Sequence, residues 1–300
     1  MNEKIHIYDC FTYDGEECLD LRLRTHWDRV DWFVIVESNV TFTGQAKQYT
    51  FDAKKYEWAM AKIRYIPLDE SAFSHCISAW ERETAQRNAL RTGYVDARPN
   101  DVIIIADVDE ILRPDSIKPL EPGTYHQFEQ LMMYFYCDYL CLSEPLWTRM
   151  KAVTGEFALA HTPQEIRTEK KVFNHLKRID IPLAGWHFSY LGGIKEINRK
   201  LERFSHQEFN KNKYKDQERN LKRVLDGKDI YRRPKKWGRV TGFDLNCQPV
   251  QSWLGSRPHL FAPRDSHHGG SVQQVVTSYT GQTRFTRTLT RNLLRIWNKF

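Results

Sequence analysis

The chain has 300 residues, 41% hydrophobic and 13% aromatic, enough apolar material to bury a full core, which excludes a disordered or low-complexity protein. The formal net charge is +7 and is concentrated late: from Ser266 to Phe300 no Asp or Glu stands against Arg284, Arg287, Arg291, Arg295 and Lys299, and a second basic cluster comprises Arg232, Arg233, Lys235, Lys236 and Arg239. No apolar run approaches the ~18 residues of a membrane span and no basic-then-apolar leader opens the sequence, so a soluble, cytoplasmic protein is expected.

The first third alternates between two hydrophobic periods. "KIHIYDCF" (4–11) reads as a strand, "EECLDLRLRTHW" (16–27) as a helix with an imperfect apolar face, and "DWFVIVES" (31–38) as a strand buried on both faces. "KIRYIPL" (62–68) is a further strand. "SAWERETAQRNALRTGYV" (78–95) is a helix opened by a capping box, Ser78 with Glu81 three residues on. "DVIIIADVDE" (101–110) is the next strand. This order predicts an α/β layer with a mostly parallel sheet, in which ligands bind at the carboxyl ends of the strands.

After Pro114 the pattern changes. Residues 123–141 are aromatic and β-like, and suggest antiparallel strands. Residues 157–173 read as a strand followed by a helix begun at Thr162-Pro163, with Pro at the first helical position. "IPLAGWHFSYLGG" (181–193) is a strand into a glycine turn, and 194–210 and 214–227 are helical. Residues 227–281 are turn-rich and predict no definite order. The domain expectation is one unit over 1–230 and a basic extension over 231–300. That extension ends in an amphipathic helix carrying Phe285, Leu289, Leu293, Ile296, Trp297 and Phe300, suited either to peripheral membrane contact or to packing on its own domain with the cations outward. Six scattered cysteines (Cys10, Cys18, Cys76, Cys137, Cys141, Cys247) predict buried thiols, since the lone Cys137/Cys141 pair lacks two more zinc ligands.

The chemical signal is "DVIIIADVDEIL". An oily strand ends in Asp107, Asp109 and Glu110, and charge is costly to bury without a partner. Two carboxylates at such a strand end suit a hard divalent cation, Mg²⁺ or Mn²⁺, that in turn holds a diphosphate. The alternative is a solvated turn. A sugar-nucleotide transferase, a phosphatase using Asp107 as nucleophile and a nucleotidyltransferase all use such a site; Ile111, where the phosphatase pattern normally has Thr or Val, speaks against the second.

Six blocks, "YDCFTYDGE", "DWFVIVESNVTFTG", "WERETAQRN", "DVIIIADVDEI", "AGWHFSYLGG" and "FSHQEFN", come in this order between Tyr8 and Asn210. Together they resemble glycosyltransferase family 17, a family that includes N-acetylglucosaminyltransferases of N-glycans. The resemblance implies a GT-A-type nucleotide-diphospho-sugar transferase fold, with a central parallel sheet and a smaller antiparallel acceptor-side part. It also implies UDP-GlcNAc as donor, Mn²⁺ as cofactor, inversion at the anomeric carbon, and a β linkage to a glycan hydroxyl of mannose or a similar sugar. A binding relative without turnover is the alternative. A basic nucleic-acid-binding protein is a weaker one, since no nucleic-acid module is present, and nucleic acid is not expected as a partner.

On this reading Asp107 and Asp109 hold metal and diphosphate, and His187 is a third metal ligand, with His206 competing for that role. Glu110 supports them or caps a turn. Glu37 and Ser38, ending a buried strand, contact the nucleotide. Arg87, with Gln86 beside it, reaches the diphosphate through its planar fork, or is held in an ion pair with Glu83. Single displacement needs a carboxylate base away from the Asp pair; Glu208 is preferred over Asp138 and Glu144. Asn39-Val-Thr41 matches a glycosylation sequon and is expected to be idle.

Overall fold

The structure is a computed structural model and describes residues 4–281. The predicted amphipathic helix from residue 284 and its membrane contact lie outside the described residues. The N-terminal part runs β1 (Ile7–Tyr13), α1 (Cys18–His26), β2 (Trp32–Ser38), β3 (Ile63–Leu68), α2 (Ala79–Asn88) and β4 (Val102–Asp107). These four strands are parallel, in the order β3-β2-β1-β4. The capping box of α2 is present: the Ser78 hydroxyl accepts from the Glu81 N–H at 3.2 Å, and the Glu81 carboxylate accepts from the Ser78 N–H at 3.0 Å. The helix tightens to 3₁₀ at Ala89–Tyr94.

The strands then reverse. β5 (Glu110–Leu112), β6 (Thr124–Tyr134), β7 (Tyr139–Cys141), β8 (Leu146–Trp147) and β9 (Lys151–Thr154) precede α3 (Gly155–Ala160) and α4 (Pro163–Thr168). Residues 157–160, read from sequence as strand, lie in α3: Thr154 caps that helix by accepting from the Phe157 N–H, and Phe157 and Ala158 pack into the core. α4 starts where Thr162-Pro163 predicts, and Glu165 completes a second capping box. β10 (Lys177–Ser189), α5 (Ile194–Arg203), α6 (Asn212–Lys215), α7 (Gln217–Leu225), β11 (Trp237–Thr241), α8 (Gln248–Gly255) and β12 (His268–Ser271) follow. The sheet path is β12-β11-β7-β6-β9-β4-β1-β2-β3, with β10 beside β6 and β5. The α/β class is as expected, though the antiparallel part is more extensive than the sequence suggested.

Residues beyond 230, expected as an extension, pack with the sheet. β11 pairs with β7 inside the sheet, and Val240, Cys247, Val250, Trp253 and Leu254 pack in one apolar cluster with Phe11, Phe33 and Ile104. Residues 231–272 therefore complete the core instead of sitting on it. All six cysteines are free thiols, five of them buried.

Strand alternation decides which side chains meet which helices. On one face Phe11, Phe33, Ile35 and Ile104 pack with Leu19, Leu21 and Leu23 of α1; on the other Tyr8, Cys10, Val34, Ile103 and Ile105 pack with Leu90, Tyr94 and Ile166. Asp9 lies on the α1 side, where it is fully buried. Arg22 of α1 meets it with two bonds (Nε–Oδ2 2.8 Å, Nη2–Oδ1 2.5 Å), and His26 Nδ1 approaches Oδ2 at 2.8 Å. Burial would raise the Asp9 pKa; Arg22 and His26 outweigh it and hold the carboxyl well below its usual range. Replacing Arg22 by Met leaves Asp9 buried without its cation. The expected cost is about 3–5 kcal/mol in urea unfolding, and the Asp9→Asn/Arg22→Met double variant should recover part of it.

Candidate active site

Arg22 does more than neutralise Asp9. Its Nη1 donates to the carbonyls of Asp107 (2.9 Å), Val108 (3.3 Å) and Glu110 (2.6 Å), so one buried guanidinium grips the turn that carries the acidic motif. His26 Nε2 accepts from the Leu112 N–H at 2.9 Å, which fixes the far end of the same segment. The turn is thereby held from the α1 side while its carboxylates point elsewhere.

Asp107 follows the alternation of Ile103 and Ile105 to the α2–α4 side. Its Oδ1 accepts from Arg87 Nη2 at 3.0 Å and its Oδ2 from Arg167 Nη2 at 2.6 Å. Burial raises its pKa, but Arg167 and Arg87 prevail and it falls to about 2. Glu110 is completely buried. It accepts from both terminal nitrogens of Arg167 (2.6 and 2.8 Å), from the Trp147 indole at 2.5 Å and from the Asp107 N–H at 3.0 Å. Asp109 turns to the other side. Lys200 of α5 donates to its Oδ2 at 2.8 Å, and His187 Nε2 stands 3.5 Å from its Oδ1. Burial again raises, and Lys200 followed by His187 lowers, leaving a carboxylate far below its usual pKa. The three acids neither point freely into water nor lie bare: protein cations cover them.

β10 delivers His187. Gly185 makes this possible: at φ +153° it crosses β5 so closely that a Cβ would stand 2.1 Å from the Ile111 carbonyl oxygen. The Phe188 N–H then donates to the Asp109 carbonyl at 2.8 Å. A small cavity of about 10 Å³ opens beside Asp109, walled by Glu16, Cys18, Tyr190, Glu196, Arg199 and Lys200. That is room for about one water-sized species. Burial, followed by the Asp14 charge, raises the Glu16 pKa.

The other expected residues divide. Arg87 bonds to Asp107 and its ion pair with Glu83 (2.8 Å) is also formed; its Nε is buried with no hydrogen-bond partner among the described residues. Gln86 donates to the Val36 carbonyl at 3.3 Å and braces β2. Glu37 and Ser38 have internal partners: the buried Glu37 carboxylate accepts from the Thr50 N–H and hydroxyl, the Phe51 N–H, the Tyr65 hydroxyl and, at 3.4 Å, Lys47, and Ser38 closes a local turn on Val40.

Asp138, the second candidate base, has internal partners too. It is buried, accepts from Arg239 Nε at 2.8 Å and the Ala262 N–H at 2.7 Å, and so ties β11 and the following loop to β7. Glu144 pairs with Lys235 on the surface. His206 does not join Asp109; its Nδ1 is 2.7 Å from Glu208, and its ring meets Trp80 edge-on at 4.6 Å. This exposed pair follows Ser205, whose hydroxyl bonds to Glu83 and through it to Arg87 and Asp107. Partial burial would raise the Glu208 pKa, but the His206 bond lowers it overall.

Arg22, His26, Asp9, Arg167, Lys200 and Glu16 are absent from the sequence expectations. Asp9 and Arg22 carried a signal: a charge inside an oily strand, and an arginine between two leucines of an apolar helix face. Arg167 and Lys200 carried none, because each reaches the site only through the packing of a distant helix.

Among the described residues no group of three His, Cys, Asp or Glu converges closely enough to hold a metal ion. Asp109 and His187 still offer an oxygen and a nitrogen side by side, and His187 Nδ1 is buried without a hydrogen-bond partner among the described residues. That pair suits Mn²⁺ sharing its shell with substrate oxygens and water, provided Lys200 yields Asp109. Asp107 does not fit as a direct ligand, since two arginines take its oxygens.

Strand-end carboxylates on a parallel sheet, met by the guanidinium groups of Arg87 and Arg167 and the ammonium of Lys200, make up the candidate site, and the family match places the protein among the glycosyltransferases. Residues 1–237 match the model of Glycosyltransferase family 17, and the chain belongs to that family. It is similar to the human Beta-1,4-mannosyl-glycoprotein 4-beta-N-acetylglucosaminyltransferase, with 30% identity over 135 residues, 40% of this chain and 25% of that protein. The rat and mouse enzymes of the same name match at 30% and 29% over the same shares. The chain thus spans about a quarter of the length of these relatives. The crystal structure of the galactosyltransferase LgtC with donor and acceptor sugar analogs aligns at a TM-score of 0.30 and 10% identity, over 58% of this chain and 66% of that one.

The depressed carboxyls give the site a pH signature. Asp107 titrates at about 2 in place of 3.8, with Asp9 and Asp109 also lowered, so the unfolded chain binds their protons first. Their stabilisation is present above about pH 4 and is lost as pH falls through the folded values. The melting temperature should be flat near neutrality and drop steeply below that point. Asp107→Asn should lower it near pH 7 and make the acid decline shallower, as read by thermal melts across a pH series.

Proposed function

We propose that this chain is a metal-dependent inverting transferase that moves GlcNAc from UDP-GlcNAc to a glycan hydroxyl, forming a β linkage to mannose or a similar sugar in one displacement. The observation that carries this reading is the convergence of Arg87, Arg167 and Lys200 on Asp107 and Asp109 at the end of β4. These cations face a strand edge where ligands of parallel sheets bind. Arginine forks match phosphate oxygens, and the unpartnered Arg87 Nε has a donor to spare. The 4-beta-N-acetylglucosaminyltransferase named among the relatives supports the sugar and linkage.

The site residues then act as follows. Asp109 and His187 would hold Mn²⁺, which, when bound, offsets charge on the departing diphosphate. Lys200, released from Asp109, and Arg87 bind phosphate oxygens. Asp107 and Glu110 keep Arg167 and Arg87 aimed, and Arg22 keeps the turn in place. Inversion requires a base on the sugar face opposite the diphosphate. Glu16 shares the cavity of Asp109 and so lies on the leaving-group side. Glu208 lies outside that cavity's lining, is exposed, has a lowered carboxyl pKa and bonds to His206. We assign the acceptor's proton to Glu208.

Two measurements test this. UDP with Mn²⁺ should raise the melting temperature of the wild type, and Asp109→Ala should abolish the shift; no stabilisation by any UDP or GDP sugar with Mn²⁺ or Mg²⁺ would sink the reading. Glu208→Gln should lower kcat by roughly 10²–10⁴ with UDP affinity unchanged. A kcat within a few-fold of wild type would remove Glu208 from the role.

A further inference from the structure

A second recess lies away from the carboxylates. It is a groove of about 490 Å³ between α1, the 3₁₀ turn Glu57–Lys62 and α8, within the size range of small-ligand sites. Three indoles line it. Trp27 and Trp58 meet at 5.1 Å and 57°, forming a corner, and Trp58 keeps 39% of its surface exposed. Trp253 closes the third side, its Nε1 donating to Asp20 at 2.8 Å. Asp20 also accepts from Arg24 at 3.1 Å, and Arg257 stands 3.8 Å away. The guanidinium groups lie over Trp58 (Arg24, 4.8 Å) and Trp253 (Arg257, 4.1 Å).

We propose that this groove is a second carbohydrate-binding site, which holds a neutral oligosaccharide portion of the acceptor away from its reacting end; the link to the acceptor rests on the transferase reading above. The exposed part of the Trp58 indole receives the C–H side of a pyranose ring, the cations over Trp27, Trp58 and Trp253 hold the three indoles in place, and the polar rim takes the sugar hydroxyls. The charges favour a neutral occupant. Both guanidinium groups already have carboxylate partners, Asp20 and Glu17, so the groove presents spare N–H donors and little unpaired charge. Glu17 also ties the groove to the first site: it lines the cavity of Asp109 and accepts from Arg257 at 3.2 Å. The α1 wall of the groove runs from Asp20 to Trp27, roughly 10 Å along the helix, a length suited to more than one sugar ring.

The test is calorimetric titration of the whole protein with mannotriose, chitotriose and a mannose-terminated N-glycan heptasaccharide, alongside a separate titration with UDP and Mn²⁺. The wild type should bind at least one oligosaccharide saturably. Trp58→Ala, at an exposed position, and Ser252→Trp, which fills the groove, should each weaken that binding about tenfold or more and leave UDP binding unchanged. No saturable oligosaccharide binding, equal binding by both variants, or a dimer in light scattering that either variant dissolves would overturn the proposal. Oligosaccharide binding lost in the variants without any UDP binding in the wild type would retain the groove and sink the transferase reading; UDP binding without oligosaccharide binding would do the reverse.

Discussion

Asp107, Asp109 and Glu110 leave the sheet within four residues, and the last two have almost no access to water. Buried charge of that density persists only against opposite charge. The surrounding architecture supplies it from every side: Arg22 from α1 to the backbone, Arg87 from α2 and Arg167 from α4 to Asp107, and Lys200 from α5 to Asp109. Glu110 binds Arg167 through both oxygens and so fixes the arginine that Asp107 shares. Removing one member leaves its partners buried and unpaired, so the network is more fragile than its number of ion pairs suggests.

On the proposed transferase reading, the same constraint prepares the site for an anion. A cation held by a carboxylate in a partly dry environment is already desolvated and oriented, and a phosphate oxygen can replace the carboxylate with little rearrangement. Lys200, a quarter exposed, is the most readily exchanged. Arg167, between Asp107 and Glu110, is the least. The site therefore divides into a fixed part on the α4 side and an exchangeable part on the α5 side, next to His187 and the small cavity.

The antiparallel half of the sheet exists in part to make this geometry possible. β10 pairs with β6 along most of its length and crosses to β5 only at Gly185, Trp186 and His187. The bulge before Gly185 lets one strand serve both partners. Asp138, far from the chemistry, secures β11 against β7 and so keeps residues 231–272 in the core that supports α1.

The sequence by itself determined the local elements and the main anomaly. The strand and helix periods of the first 110 residues, the capping box at Ser78, the helix start at Thr162-Pro163 and the acidic end of an apolar strand all depend on neighbours a few residues apart, and they appear where that reading puts them, whereas 157–160 is helix in place of strand and the helix read over 194–210 ends at Arg203. Part of the site was legible for the same reason: Asp107, Asp109 and Arg87 stand in short motifs, and His187 follows a glycine whose lack of a side chain has a purpose. What only the tertiary structure decided is which charge meets which. Glu37 and Asp138 look like site residues in sequence and bond to internal partners, while Arg167 and Lys200 look like ordinary helix surface and face the carboxylates. A carboxylate's role is set by the donors within about 3 Å of it, and Arg167 and Lys200 come from 60 and 91 residues away, separations that hydrophobic period and residue spacing do not encode.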